Sequence, residues 1–346
     1  MDLLGEYGLF LAKIITVLAG IAVAVALIAN GAKAKSKDRG HLEINSLNET
    51  LRKASSVFAE ALLAPHEKKL AIKARKKEEK LAAKKSTTLT ADKLVKRVFV
   101  LNFHGDLRAS AVAALRQEIT AVLAEANSDD EIVVKLESSG GMVHSYGLAA
   151  SQLDRIKKRK IPLTVCVDKV AASGGYMMAC VANRVLAAPF AIIGSIGVVA
   201  QIPNIHRLLK RHDVDVELMT AGKYKRTLTV LGENTDEGRS KFREDLEDIH
   251  SLFKEFIAER RQNVDVEQVA TGEIWYGTRA QKIGLVDDIQ TSDEYLTNLA
   301  QDREVYEIRF VEKKSLPQKF GLAAEESSDR LLLRWFDRLS KPRHYS

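Results

Sequence analysis

From about residue 95 onward the chain alternates short apolar runs with longer amphipathic stretches, and that alternation admits few architectures. Residues 98–103, 132–136 and 161–167 read as strands, the second of them buried. Residues 109–127 and 148–160 carry helical periodicity, and 174–183 is a helix-compatible segment packed with small residues. Strands separated by helices imply parallel strands joined by crossover helices, an α/β fold of βαβ units. About 190 residues are ample for one hydrophobic core.

Three turns in this region carry chemistry. The first is Val170-Ala171-Ala172-Ser173-Gly174-Gly175-Tyr176, which follows an apolar strand and opens a helix. A serine there has its hydroxyl near the positive end of a helix dipole, beside main-chain N–H groups able to hold an oxyanion. That is a nucleophile's position, although small residues also occur wherever a helix packs tightly on a sheet. The second is Glu137-Ser138-Ser139-Gly140-Gly141-Met142. Paired glycines after a strand let the backbone approach a ligand and aim N–H groups into a cleft; the plainer alternative is a tight turn. The third, Ile193-Gly194-Ser195-Ile196-Gly197, repeats the small-residue pattern, and Ala221-Gly222-Lys223-Tyr224-Lys225-Arg226 follows a strand-like stretch at 214–219.

Together these segments resemble the signal peptide peptidase A family, membrane-bound serine–lysine peptidases, and the single-domain SohB-like inner-membrane branch in particular. The resemblance runs from about residue 95 to 288 and ends in Trp275-Tyr276-Gly277-Thr278-Arg279-Ala280 and Ile283-Gly284-Leu285-Val286-Asp287. It implies a Clp-protease/crotonase-type fold. It implies Ser173 as nucleophile and Lys225 as general base, the latter at glycine-x-x-lysine spacing from Gly222. It further implies that Ser195 orients the lysine and that the N–H groups of Gly174 and of Gly140 or Gly141 form the oxyanion hole. Where relatives often have proline before the glycine pair, this chain has Ser138-Ser139.

The chemistry can be argued from residue types as well. A serine hydroxyl needs a base, ordinarily histidine. Of eight histidines only His144 follows a turn near a cleft, and 193–202 contains none. Lysine can substitute when burial brings its pKa from about 10.4 to about 7 or 8. With 53 lysines and arginines in the chain, an arbitrary lysine is a surface residue, and it is the glycine-x-x-lysine spacing implied by the resemblance that singles out Lys225. No His-Glu-x-x-His, Cys-x-x-Cys or phosphate-binding glycine loop is present, so neither a metal nor another cofactor is expected. Cys166 and Cys180 lie in apolar segments and read as core residues.

Charge divides the chain. Residues 1–95 hold 17 Lys and Arg against 10 Asp and Glu, which accounts for the whole net charge of +7. Residues 10–30 are apolar except for Lys13, about the 20 residues a bilayer core requires, and a membrane anchor is expected over 1–32. A cleaved signal peptide is the rival, since Ala32-Lys33-Ala34 resembles a small-x-small site, but Asp2 and Glu6 do not suit a basic leader. Residues 33–94 form a basic helical linker, densest in lysine over 67–85 and suited to solvent or to anionic lipid headgroups. It interleaves no aromatics for stacking on bases, so no nucleic acid is expected.

The peptidase domain is expected over 95–290, followed by a C-terminal extension, 291–346. In that extension Leu331, Leu332, Trp335 and Leu339 share one helix face, suited to a membrane surface or a partner subunit. A long charged helix over 236–262 has Phe242, Leu246, Ile249, Phe253 and Ile257 at helical spacing, to cover its own sheet or a neighbouring subunit.

The expected protein is a homo-oligomeric, single-pass serine endopeptidase of the bacterial inner membrane. It would cut peptides or unfolded segments, signal-peptide remnants among them. Lys33, Lys35, Lys37 and Arg39 after the apolar stretch favour a cytoplasmic domain, whereas the resemblance favours the outer side. The alternatives are a crotonase-like or scaffold protein without peptidase action, in which Ser173 is dispensable, and a membrane adaptor acting through its basic arm.

Overall fold

The computed structural model describes residues 15–16, 40–63 and 96–312. The expected anchor, most of the basic linker and the C-terminal amphipathic helix lie outside them. Among the described residues no helix is long and apolar enough to cross a membrane. The chain divides into two compact units, Glu43–Arg309 and a smaller one made by Met1–Leu42 with Phe310–Ser346.

Ten strands among the described residues form one sheet. In chain order they are β1 (Gly40–Ser46), β2 (Arg97–Gly105), β3 (Glu131–Ser138), β4 (Leu163–Val167), β5 (Val170–Ala172), β6 (Arg184–Ala187), β7 (Ile192–Gly194), β8 (Ile274–Tyr276), β9 (Asp288–Ile289) and β10 (Glu304–Glu312). The order across the sheet is β1-β10-β2-β3-β4-β6-β9, with β5 pairing both β3 and β7, and β8 on β7. The pairs among β10, β2, β3, β4, β6 and β9 are parallel, as are β3–β5 and β5–β7, while β7–β8 is antiparallel. Parallel neighbours require crossovers, supplied by α2 (Val112–Glu125) between β2 and β3 and α3 (Val143–Lys158) between β3 and β4; α1 is Leu47–Leu62.

The apolar runs are continuous because both faces of the central strands are covered. Phe99, Leu101 and Phe103 of β2, with Ile132, Val134 and Leu136 of β3, join the larger core with Leu115, Ile119, Leu153 and Ile156 of the two helices. The alternate residues Val98, Val100 and Val133, with Cys166, join a second cluster with Leu296 and Val305. Cys166 and Cys180 are free and buried, and burial pushes each thiol up to about 12, so both are inert core residues.

The expected helix at 236–262 is α6 (Asp236–Arg260), capped by Thr235, whose hydroxyl accepts from the Gly238 N–H. Phe253 and Ile257 are buried in the same unit's core, while Phe242, Leu246 and Ile249 are half-buried, so one end of the stripe serves its own sheet. The expected strand at 214–219 does not form. Its apolar residues find no strand to pair with: Val214, Leu218 and Met219 stay 47, 52 and 84% exposed in an irregular segment after the short α5 (His206–Arg211).

Candidate active site

The turns that follow β3, β5 and β7 come together because those strands are neighbours. Ser138 ends β3 opposite Ala171, and Ala172 of β5 stands opposite Gly194 of β7. Ser173 and Ser195 are therefore the next residues on adjacent parallel strands, and the Ser173 N–H donates to the Gly194 carbonyl at 2.7 Å. Both serines have left-handed backbone, φ 52° and 50°, which residues with a Cβ adopt at a cost of about 1–3 kcal/mol. At Ser173 the bend turns a strand directly into the helix α4 (Gly174–Ala179), whose N-cap it is. Such a strained strand-to-helix turn presents a hydroxyl at the carboxyl edge of a sheet.

Glycine is required around this serine by close approach. A Cβ on Gly140, itself at φ 89°, would stand 2.7 Å from both the Ser173 Cβ and the Gly174 nitrogen. One on Gly174 would fall 2.4 Å from the Tyr146 ring. The two expected glycine turns thus touch.

Their amides are not equivalent. The Gly140 N–H donates to Ser138 Oγ at 3.0 Å, and the Met142 N–H to the Leu107 carbonyl at 2.9 Å. The N–H groups of Gly141 and Gly174 have no acceptor among the described residues. Of the alternatives Gly140 and Gly141, the second is the one left free to receive an oxyanion.

The two lysines also differ. Lys223 pairs with Glu237 at 2.8 Å, and its ammonium lies 5.0 Å above the Tyr224 ring. Hydrogen bonding to Glu237 and then to Tyr224 raises its pKa, the wrong direction for a base. Lys225 has no ion pair among the described residues, and its N–H bonds the Gly222 carbonyl at 3.2 Å. Gly222 has φ 99°, the left-handed turn that only glycine takes freely. The side chain of Lys225 is exposed in the single chain, in contrast to the burial expected of a lysine base. His144 is exposed, and no histidine is hydrogen-bonded to Ser173 among the described residues. No His, Cys, Asp or Glu cluster among the described residues is arranged to hold a metal.

Sequence reasoning missed Tyr146 and Asp106. Tyr146 is fully buried with its ring against Gly174, its hydroxyl 2.6 Å from Ser138 Oγ and donating to the Asp106 carbonyl at 2.8 Å. Asp106 accepts from the N–H of Arg108 and the N–H and hydroxyl of Ser110. Those hydrogen bonds, from Ser110 first, lower its pKa. The Gly105-Asp106 pair signalled a turn, but nothing local pointed to Tyr146, whose importance comes from a contact forty residues away.

Comparison with known proteins fits this geometry. The family model "Peptidase family S49 N-terminal" matches residues 2–153, and "Peptidase family S49" matches residues 155–306. The chain belongs to peptidase family S49. Relatives of this S49 chain include the "Probable protease SohB" of Haemophilus influenzae, 48% identical over 98% of both chains. Another of that name, from Buchnera aphidicola subsp. Schlechtendalia chinensis, is 47% identical over 86% of this chain and 99% of the relative. More distant is "Putative protease MJ0651" of Methanocaldococcus jannaschii, 30% identical over 58% of this chain and 67% of the relative. Among solved structures, the 1510-N membrane-bound stomatin-specific protease with a substrate peptide overlaps 66% of this chain and 97% of its own, at 15% identity and TM-score 0.41. Membership in S49 makes the protein one of a serine-type protease family.

Proposed function

We propose that this S49 chain is a membrane-anchored serine endopeptidase, with the Clp/crotonase-type fold its sequence resembles, working through a Ser173–Lys225 dyad. The observation that carries the reading is the strained Ser173 at an N-cap, in contact with Gly140 and flanked by the unpaired amides of Gly141 and Gly174. Neutral Lys225 takes the Ser173 proton as Oγ bonds to the scissile carbonyl carbon. The carbonyl oxygen becomes an oxyanion held by the Gly141 and Gly174 N–H groups. As the C–N bond breaks, the ammonium of Lys225 returns its proton to the departing amine, leaving an acyl-enzyme that water hydrolyses by the same relay. Ser195, next to Ser173 in the sheet, orients the lysine.

A lysine base must lose water contact to be neutral near pH 7, and Lys225 is exposed in one chain. Exposed apolar side chains surround it in sequence, Leu218, Met219, Tyr224, Val230 and Leu231 among them. A second copy of the chain covering this segment supplies the missing burial, so the working enzyme is a homo-oligomer. Its substrates are peptides or unfolded segments. The protein resides in the bacterial inner membrane, with the catalytic domain on the cytoplasmic side as the loop charges favour.

Labelling with a serine-reactive phosphonate tests the reading. Wild-type protein is expected to be labelled at Ser173 and Ser173→Ala not at all. Equal labelling of the two would overturn it and favour a non-peptidase scaffold.

A further inference from the structure

The turn bearing Gly140 and Gly141 is tied down by buried hydroxyl groups that take no part in bond making. Tyr146 has one hydroxyl proton, donated to the Asp106 carbonyl at 2.8 Å. The 2.6 Å contact between Tyr146 and Ser138 must therefore be donated by Ser138. Ser138 Oγ in turn accepts the Gly140 N–H at 3.0 Å. The result is a relay of one sense, from the Gly140 amide through Ser138 and Tyr146 to the Asp106 carbonyl. Its members polarise one another in a dry setting, with Ser138 2% and Tyr146 0% exposed. Burial raises the Tyr146 pKa, so the hydroxyl remains a donor throughout the working range.

Space is reserved for this hydroxyl pair. A Cβ on Gly105 would stand 2.4 Å from both Ser138 Oγ and the Tyr146 oxygen. The far side of the turn is held independently by the Met142 N–H on the Leu107 carbonyl, 2.9 Å. Gly141 is the residue between these two tethers, and its amide is unpaired.

We propose that Ser138 and Tyr146 are positioning residues that act through Gly140 to hold the Gly141 amide where the oxyanion develops beside Ser173. This inference rests on Ser173 being the nucleophile.

Tyr146→Phe and Ser138→Ala, each losing little more than a hydroxyl, provide the test in the full-length protein. Displacing an oxyanion donor lowers kcat without weakening ground-state binding, by about 10- to 100-fold where outright removal costs about 100- to 1,000-fold. The expected result is that fall in kcat with KM and melting temperature near wild type. Because both variants break one relay, the double variant should lose no more than the worse single one. Wild-type kcat in either folded variant, or kcat lost in proportion to melting temperature, overturns the proposal. Should Tyr146→Phe fail to fold, Ser138→Ala alone decides. Phosphonate labelling of wild type at Ser173 is the control: its absence refutes the dyad, whereas its presence with unaltered kcat in the variants refutes only the relay.

Discussion

Two lysines two residues apart illustrate how little side-chain identity says about role. Lys223 and Lys225 share a turn and an exposed setting, yet among the described residues Lys223 pairs with a carboxylate, Glu237, and Lys225 with none. An ammonium held by Glu237 and the Tyr224 ring is stabilised as a cation and is a poor proton acceptor. Lys225→Ala is therefore expected to abolish peptide hydrolysis, as Ser173→Ala does, because members of a catalytic unit fail singly. Lys223→Ala should retain most activity, and Ser195→Ala should lose part of it by leaving the lysine misdirected. Steady-state hydrolysis of a fluorogenic peptide compares the variants, and equal losses at the two lysines would remove the assignment of the base.

At the scale of elements, α1 shows how one polar side chain fastens a helix that buries little of itself. No residue of α1 is fully buried, and Val57, Phe58 and Leu62 are 65, 69 and 75% exposed. Asn48 compensates. Its amide nitrogen donates to the carbonyls of Ala300 and Arg303, both at 2.9 Å, and its oxygen accepts the Val305 N–H at 2.8 Å. These bonds join α1 to β10 and to the turn that precedes it, after the helix Ser292–Leu299. Asn48→Ala leaves three backbone groups without that partner and is expected to cost about 1–3 kcal/mol. Urea unfolding, monitored by circular dichroism, measures the loss; an unchanged midpoint would mean that solvent replaces Asn48 without penalty. Peptidase activity per folded molecule should not change, since Asn48 lies outside the residues around Ser173.

At the scale of the molecule, the described residues around Ser173 and those that follow β7 differ in how much they bury. Among the described residues the strands beside Ser173 are paired and α4 is buried throughout. From about residue 199 to 231 the chain is irregular apart from the short α5, with Val199 91% and Met219 84% exposed. A groove of about 430 Å³ there is lined by the apolar Ala200, Ile202, Leu228, Phe242 and Leu246 together with two asparagines and two arginines. Exposed apolar surface on this scale favours association. Mixing inactive Ser173→Ala and Lys225→Ala chains is expected to restore activity if the lysine of one subunit serves the serine of the next. A monodisperse, fully active monomer in light scattering would exclude that arrangement. Protease added to intact spheroplasts tests the side of the membrane: the domain should resist digestion until lysis.

Local pattern alone was enough for the α/β class, the strands at 98–103 and 132–136, the helix at 236–262 and the serine and glycine turns that the sheet brings together. Each depends on periodicity or on turn chemistry, which a short window of residues contains. The same window misled at 214–219, where a strand-like composition has no partner strand to bond, and a strand exists only through its neighbour's backbone. It was silent on which glycine amide stays free, because that depends on Ser138 having Tyr146 beside it and Tyr146 having Asp106. The burial that a lysine base requires was expected at Lys225, and the single folded chain leaves that residue exposed. Tertiary structure decided these points because hydrogen-bond partners and solvent exclusion are properties of residues brought together from distant positions, and sequence spacing does not encode them.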